Sequence, residues 1–213
     1  MDAAIILAGG EPVDLAIIGD LPSPALVIAA DSGLALAEPL GLTVDLVVGD
    51  MDSVDPGLLA GAEAAGVPIE RHDPNKDASD LELAMDAALR RGANQLVVVG
   101  GAGGRIDHLL ANAALLGSDR FAAAQVTWLT DQALATVVRR QAVLSGSPGD
   151  VVTLQALGAP ARGITSSGLV WSLDGETLEP GSTRGLSNEM TGASATVEVG
   201  EGALLAIQPR GTP

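Results

Sequence analysis

The sequence contains no cysteine and no tyrosine among its 213 residues, and only one phenylalanine and two tryptophans. The absence of cysteine excludes a disulfide framework and thiolate zinc sites, and it suits a reducing compartment. With Phe121, Trp128 and Trp171 as the sole aromatics, Ala, Val, Leu and Ile must fill the core. Long apolar runs are missing too. Stretches such as 5–8 and 97–99 fall far short of the ~18–20 residues of a membrane span. Met1-Asp2-Ala3 opens without a basic stretch, which argues against a secretory signal. The expectation is a cytoplasmic chain that does not associate with membranes. Positive charge is equally scarce. Eleven Lys and Arg stand against 27 Asp and Glu, a net charge of −16, which repels nucleic acid and anionic membrane surfaces. A small phosphorylated ligand is compatible with that field if a divalent cation and a few local basic groups offset it. Lysine occurs once, at Lys76, inside an acidic segment.

What is present is a chain that is 47% hydrophobic, enough for a packed core and too much for intrinsic disorder. Its length allows one large domain or two small ones. Short aliphatic runs at 3–7, 26–30, 45–48, 67–71, 96–99 and 125–129 read as buried parallel strands. Between them, 33–40, 56–65, 78–91 and 105–116 read as helices. In 78–91, Leu81, Ala84, Met85 and Ala88 recur at the spacing of one buried face. The texture changes at Leu144-Ser145-Gly146-Ser147-Pro148-Gly149, a turn-rich stretch read as a linker. Beyond it, runs at 151–157, 169–173, 195–199 and 203–207 read as strands, with Gly200-Glu201-Gly202 as a hairpin turn between the last two. The expected fold class is α/β: a mostly parallel α/β sheet domain over residues 1–141, followed by a small antiparallel β domain over 149–213.

Three strands of the first domain end alike. One runs into Asp31-Ser32-Gly33, another into Gly49-Asp50-Met51-Asp52-Ser53, and a third into Gly100-Gly101-Ala102-Gly103-Gly104-Arg105-Ile106-Asp107-His108. Ligands of open α/β sheets bind beyond the carboxyl ends of the strands, so these ends describe one shared site. If strand geometry persists past Gly49, Asp50 and Asp52 point to one face. Convergent carboxylates without His or Cys suit a hard cation such as Mg²⁺; the alternative is a solvated acidic turn. The glycine loop before a helix suits an anion, although it has neither the Walker A nor the dinucleotide spacing. Arg105 and His108 oppose the helix dipole, which a nearby anion would explain. Otherwise Asp107 is a favourable first-turn acid and His108 a partly buried histidine with its own hydrogen bond. Asp77 and Asp80 read as an N-cap and a first-turn acid, leaving Lys76 to meet a phosphate. Trp171, Ser187 and Asn188 are the candidate contacts to an organic ligand, against a core tryptophan and a surface turn. The residues by themselves support a Mg²⁺-dependent site for a nucleotide or phosphorylated ligand, and they do not reveal the substrate.

Taken together, Asp31-Ser32-Gly33, Gly49-Asp50-Met51-Asp52-Ser53, Lys76-Asp77-Ala78-Ser79-Asp80 and Gly103-Gly104-Arg105-Ile106-Asp107-His108 resemble the thiamine pyrophosphokinase family. The likeness continues through Gly168-Leu169-Val170-Trp171-Ser172-Leu173 and Gly185-Leu186-Ser187-Asn188-Glu189, and so covers nearly the whole chain. It implies an α/β catalytic domain, a C-terminal β-sandwich, and a homodimer with active sites at the subunit interface. It also implies transfer of diphosphate from ATP to the hydroxyl of thiamine, with release of AMP. On this resemblance Asp31, Asp50, Asp52 and Asp80 surround Mg²⁺, and Asp77, Asp80, Arg105 and Asp107 are the catalytic group. Lys76, Arg105, Gly103 and Gly104 hold the triphosphate, with Ser32, Gly33, Ser53 and His108 as further ATP contacts. Ser187 and Asn188 contact thiamine, and Trp171 stacks on its ring. Asp80 and Asp107 are both candidates to take the hydroxyl proton. Two other readings of the same pocket are a Mg²⁺-dependent phosphotransferase with a different acceptor and a catalytically silent sensor of thiamine diphosphate or a nucleotide.

Overall fold

Strands that are aliphatic at every position, rather than at alternate ones, can be satisfied only by burial on both faces. A computed structural model of the chain describes residues 3–14 and 19–210. It divides into two compact units, Met1–Asn112 with Ala123–Asp131, and Ala113–Ala122 with Gln132–Pro213. In the first unit, β1 (Ala3–Ala8), β2 (Leu26–Ala30), β3 (Leu46–Gly49), β4 (Ile69–Arg71), β5 (Gln95–Gly100) and β6 (Gln125–Leu129) form a parallel sheet. Their order is β6-β5-β1-β2-β3-β4. Every residue of β1 and β3 is buried. The chain starts at β1, works outward to β4, then crosses back to β5 on the other side of β1. The strand order therefore reverses between β1 and β5, which is where open α/β sheets make their ligand crevice.

Three helices accompany this sheet in sequence: α1 (Pro56–Ala64), α2 (Asp80–Arg90) and α3 (Ile106–Leu116). Asp55 caps α1, accepting from the Gly57 and Leu58 amides at 2.8 and 3.0 Å. Helix α2 packs on β1, β2 and β3 through the face the spacing predicts, with Leu81, Ala84, Met85 and Ala88 buried. The helix expected over 33–40 is instead a 3-10 segment, Asp31–Leu36, followed by turns. It presses close to β1: a Cβ on Gly33 would lie 2.0 Å from the Leu7 carbonyl oxygen.

The second unit is a sandwich of two antiparallel sheets. One holds β7 (Ala133–Val138), β9 (Val151–Ala156), β12 (Asn188–Glu189) and β14 (Leu204–Pro209), in the order β12-β9-β14-β7. The other holds β8 (Gln141–Ser145), β10 (Ala161–Ser167), β11 (Glu176–Leu178) and β13 (Ser194–Glu198), in the order β11-β10-β13-β8. Val152, Leu154 and Leu204 from the first share one buried cluster with Leu144, Ile164 and Val197 from the second.

Three local expectations change here. The long segment of this unit begins at Gln132, ahead of the stretch read as a linker, because β7 pairs with β14 and β8 with β13. Residues 169–173 are a bend with one isolated β-bridge, Leu169 to Met190, rather than a strand: Gly168 adopts φ 75°, and Ser172 Oγ donates to the Leu169 carbonyl at 3.1 Å. Leu169 and Leu173 fill the core while Val170 and Trp171 stay outside. Gly200-Glu201-Gly202 is a passage from one sheet to the other, since β13 and β14 lie in different sheets. The Arg162 carbonyl accepts from the Gly200 and Glu201 amides, and Gly202 passes so near β10 that a Cβ would lie 2.6 Å from the Pro160 oxygen.

Gly33→Ala should force the 3-10 segment away from β1. Overpacking of this kind costs roughly 1–3 kcal/mol, readable as a lowered urea midpoint; a midpoint equal to that of the parent would show that the backbone yields freely.

Candidate active site

The acids that follow the strands converge. Asp31 comes directly after β2 in a left-handed conformation, φ 47°, and is buried. Asp50 comes directly after β3. Asp80 opens α2, whose N-cap is Ser79, with Ser79 Oγ accepting from the Glu82 amide at 3.2 Å. The cap is therefore Ser79, not Asp77, which is exposed. Gly49 makes room for the meeting: a Cβ there would lie 2.9 Å from Asp80 Oδ1 and 3.1 Å from Asp31 Cβ. Carboxylate oxygens of Asp31, Asp50 and Asp52 all lie within 4.8 Å of one another. Strand alternation is not what unites Asp50 with Asp52. Met51 turns left-handed at φ 68°, and the Asp52 amide donates to Asp50 Oδ1 at 3.2 Å, so the two acids meet across a tight turn.

Lys76 balances this charge in part. Its ammonium lies 2.7 Å from Asp50 Oδ2 and 3.1 Å from Asp80 Oδ1, with the side chain 14% exposed. Burial pulls the Lys76 pKa down, but hydrogen bonds and attraction to Asp50 and Asp80 together outweigh it and hold the value above normal. The Lys76 hydrogen bond lowers Asp50, whereas the charge of Asp50 raises Asp52. Asp80 is raised mainly by burial, against the opposing pull of Lys76. Asp31 accepts from Ser53 Oγ with one oxygen, while its other oxygen, Oδ1, is buried without a hydrogen bond. Buried carboxylate oxygens are normally satisfied. An all-oxygen cradle with one such orphan fits Mg²⁺, which takes a few carboxylates and keeps positions for phosphate oxygens.

A second group of residues borders the reversal of the strand order. A Cβ on Gly9 would meet Ser32 Oγ at 2.1 Å, so the ends of β1 and β2 touch. The glycine loop after β5 carries left-handed residues at Gly100, Gly101, Gly103 and Gly104. The Gly104 amide donates to Glu11 Oε1 at 3.2 Å, and the Glu11 amide to the Ala102 carbonyl at 3.3 Å. Gly9-Gly10-Glu11 was not among the predicted positions, yet it repeats the glycine-and-acid pattern of the other strand ends immediately after β1. Arg105 and Asp107 pair with each other, Nε to Oδ1 at 3.1 Å, and both are exposed. The Arg105 hydrogen bond holds Asp107 at about 2. His108 is exposed rather than partly buried.

The remaining candidates meet in the second unit. Trp171, Ser187 and Asn188 line a pocket of about 540 Å³ with Leu154, Arg184 and Leu186. Trp171 is 58% exposed, so it is not a core residue. Asn188 is buried and clamps it: Oδ1 accepts from the Trp171 amide at 3.1 Å, and Nδ2 donates to the Trp171 carbonyl at 2.8 Å. Ser187 sits at φ 54°, its amide donating to Thr153 Oγ1 at 3.1 Å.

Two family descriptions match the chain: "Thiamin pyrophosphokinase, catalytic domain" over residues 20–128 and "Thiamin pyrophosphokinase, vitamin B1 binding domain" over 138–204. A thiamine pyrophosphokinase of Bacillus subtilis (strain 168) is 25% identical over 215 residues, spanning 95% of this chain and 96% of its own. The crystal structure of thiamine pyrophosphokinase from Bacillus subtilis superimposes with a TM-score of 0.84 at 23% identity, covering 98% of this chain and 99% of that one. That of Candida albicans gives 0.81 at 15% identity, over 97% and 90%. Both structures speak for the fold.

Left-handed backbone penalises β-branched residues most. Met51→Ile should therefore cost about 1–2 kcal/mol more than the equally bulky Met51→Leu, and it should shrink the rise in melting temperature on adding Mg²⁺ where Met51→Leu keeps it. Equal behaviour of the two isomers would mean that the turn at Met51 does not hold the acids together.

Proposed function

We infer the chemistry from one premise, that the chain belongs to the thiamin pyrophosphokinase family: it transfers the terminal diphosphate of ATP to the hydroxyl of thiamine, giving thiamine diphosphate and AMP. The observation that carries this reading to particular residues is the acidic cradle, with its buried, unbonded Asp31 oxygen beside the only lysine of the chain.

The reaction asks little covalent chemistry of the protein. The alcohol oxygen attacks the β-phosphorus while the bond from that phosphorus to the α,β-bridging oxygen breaks, and AMP leaves in line. Asp31, Asp50 and Asp52 would hold Mg²⁺, and Asp80 stands beside them. When bound, Mg²⁺ neutralises the phosphate oxygens and spreads the developing charge. Lys76 adds a fixed positive charge next to the cradle. The glycine loop offers N–H groups to the polyphosphate, with Arg105 at the start of α3 and Ser32, Gly33, Ser53 and His108 as further contacts to ATP. Asp80 lies outside the set of three whose oxygens meet but stands at the cradle, sharing Lys76 with Asp50, whereas Asp107 is exposed and tied to Arg105; Asp80 is therefore the residue we assign to orient the thiamine hydroxyl and take its proton. Asp77 and Asp107 keep supporting roles, Asp107 by fixing Arg105. The exposed indole of Trp171 stacks on thiamine, a flat cationic heterocycle, beside Ser187, while Asn188 holds the Trp171 backbone in place.

The assembly we propose is a homodimer. Exposed Ile106 and Leu110 on α3, and Val143, Val170 and Leu186 in the second unit, supply apolar surface for it. A unit of only about 90 residues gains from such support, because small domains bury a smaller share of their surface. Use of ATP puts the enzyme with the cytoplasmic nucleotide pool, and a charge of −16 keeps nucleic acid away. No helix among the described residues is long and apolar enough to cross a membrane.

Incubation with ATP, Mg²⁺ and thiamine should release one AMP per thiamine diphosphate. ADP as the product would indicate a simple kinase, and tight binding without turnover a sensor. Asp52→Asn should abolish turnover with an unchanged circular dichroism spectrum; near-parental activity at saturating Mg²⁺ would remove Asp52 from the site. Trp171→Ala should raise the thiamine KM several-fold and leave the ATP KM within about twofold, the signature of lost acceptor binding. Because the indole is exposed, the melting temperature should barely move. A sharp loss of stability with a constant thiamine KM would contradict the stacking role.

A further inference from the structure

Two side chains grip the glycine loop from behind, and neither belongs to a motif that points to ATP. The buried Trp128 on β6 donates its indole N–H to the Gly100 carbonyl at 2.7 Å. Asn112 on α3 donates Nδ2–H to the next carbonyl, Gly101, at 2.8 Å. The same two glycines are left-handed, φ 82° and 69°, where any side chain would be strained. A Cβ on Gly100 would lie 2.4 Å from the Ala8 carbonyl oxygen, and one on Gly101 would lie 3.2 Å from both Ala8 Cβ and Asn112 Nδ2. The Gly101 amide is itself turned inward, onto the Ala8 and Gly9 carbonyls at 3.2 and 3.1 Å.

This arrangement solves a particular problem. Glycine is the most flexible residue, and a loop that is nearly all glycine has no preference for the conformation that binds an anion. A backbone carbonyl turned toward a phosphate repels it, whereas an N–H attracts it. Fixing two successive carbonyls on the protein side removes the repulsive orientation and leaves the amides of Ala102 and Gly103 as groups the loop can present, while that of Gly104 donates to Glu11. A phenylalanine at position 128 could serve packing alone; the indole adds a donor that reaches this carbonyl.

We propose that Trp128 and Asn112 are positioning residues for the polyphosphate of ATP, acting through the Gly100 and Gly101 carbonyls. The proposal rests on the reading that the glycine loop receives those phosphates. Binding of a non-hydrolysable ATP analogue, measured by calorimetry with Mg²⁺, should weaken about five- to tenfold in Trp128→Phe and in Asn112→Leu. The ATP KM should rise in parallel while the thiamine KM stays within twofold. Gly104→Ala serves as the control for the site itself. Gly104 adopts φ 62°, and a Cβ there meets nothing within 4 Å, so the substitution disturbs only the loop backbone. If Gly104→Ala weakens the analogue and the two pin variants lower only the melting temperature, the residues merely pack and the proposal fails. If none of the three affects the analogue, the loop is not the phosphate site, and both statements fall. Should Trp128→Phe not fold, Asn112→Leu on the partly exposed α3 decides by itself.

Discussion

A cluster of four carboxylates, two of them paired with one ammonium group, sets the terms for the rest of the site. Asp31, Asp50, Asp52 and Asp80 repel one another, and the charge of Asp50 is felt at Asp52 as a raised pKa. Lys76 offsets part of that repulsion through Asp50 and Asp80, and the remainder is an electrostatic demand for a further cation. Such a cluster persists only if the surrounding structure over-determines it. Asp31 and Met51 are held left-handed, Gly49 leaves the space where two acids meet, and the fully buried strands β1 and β3 supply the rigidity. The acidic surface of the whole chain works in the same direction, since it raises the local concentration of divalent cations and of anything they carry.

The poverty in aromatics has a structural counterpart. A core of Ala, Val, Leu and Ile packs the parallel sheet with small side chains, and this permits close backbone approaches such as Gly33 against Leu7. The two tryptophans are then used for different ends. Trp128 is buried and directs its one polar atom to the Gly100 carbonyl, whereas Trp171 is exposed and has its backbone clamped by Asn188.

Much of the α/β unit was legible in the sequence because burial on both faces leaves a continuous aliphatic signature. The runs at 26–30 and 125–129 coincide with β2 and β6. The buried face of α2 follows from its 3.6-residue period, and the acids that follow β2 and β3 are ones the fold brings together. The second unit was harder to read. Leu169 and Leu173 resemble the ends of a strand, but Gly168, left-handed just before them, breaks the extended run that would lead into it. Gly200-Glu201-Gly202 has the composition of a hairpin turn, yet its neighbours pair with strands distant in sequence, a long-range fact that local composition does not encode. Gly9-Gly10-Glu11 is another such case: its contacts with Ala102 and Gly104 arise only once β1 and β5 lie side by side. The pairing of Asp50 with Asp52 was anticipated from strand alternation and is produced instead by a turn at Met51.

The central claim is that the buried, unbonded oxygen of Asp31 belongs to a divalent-cation site. It is tested most directly by titrating Mn²⁺ into the protein and following free Mn²⁺ by electron paramagnetic resonance, in the parent and in Asp31→Asn. The account predicts saturable binding in the parent that is weakened at least tenfold in Asp31→Asn, with the variant still folded. Equal Mn²⁺ affinity in the two proteins would contradict it.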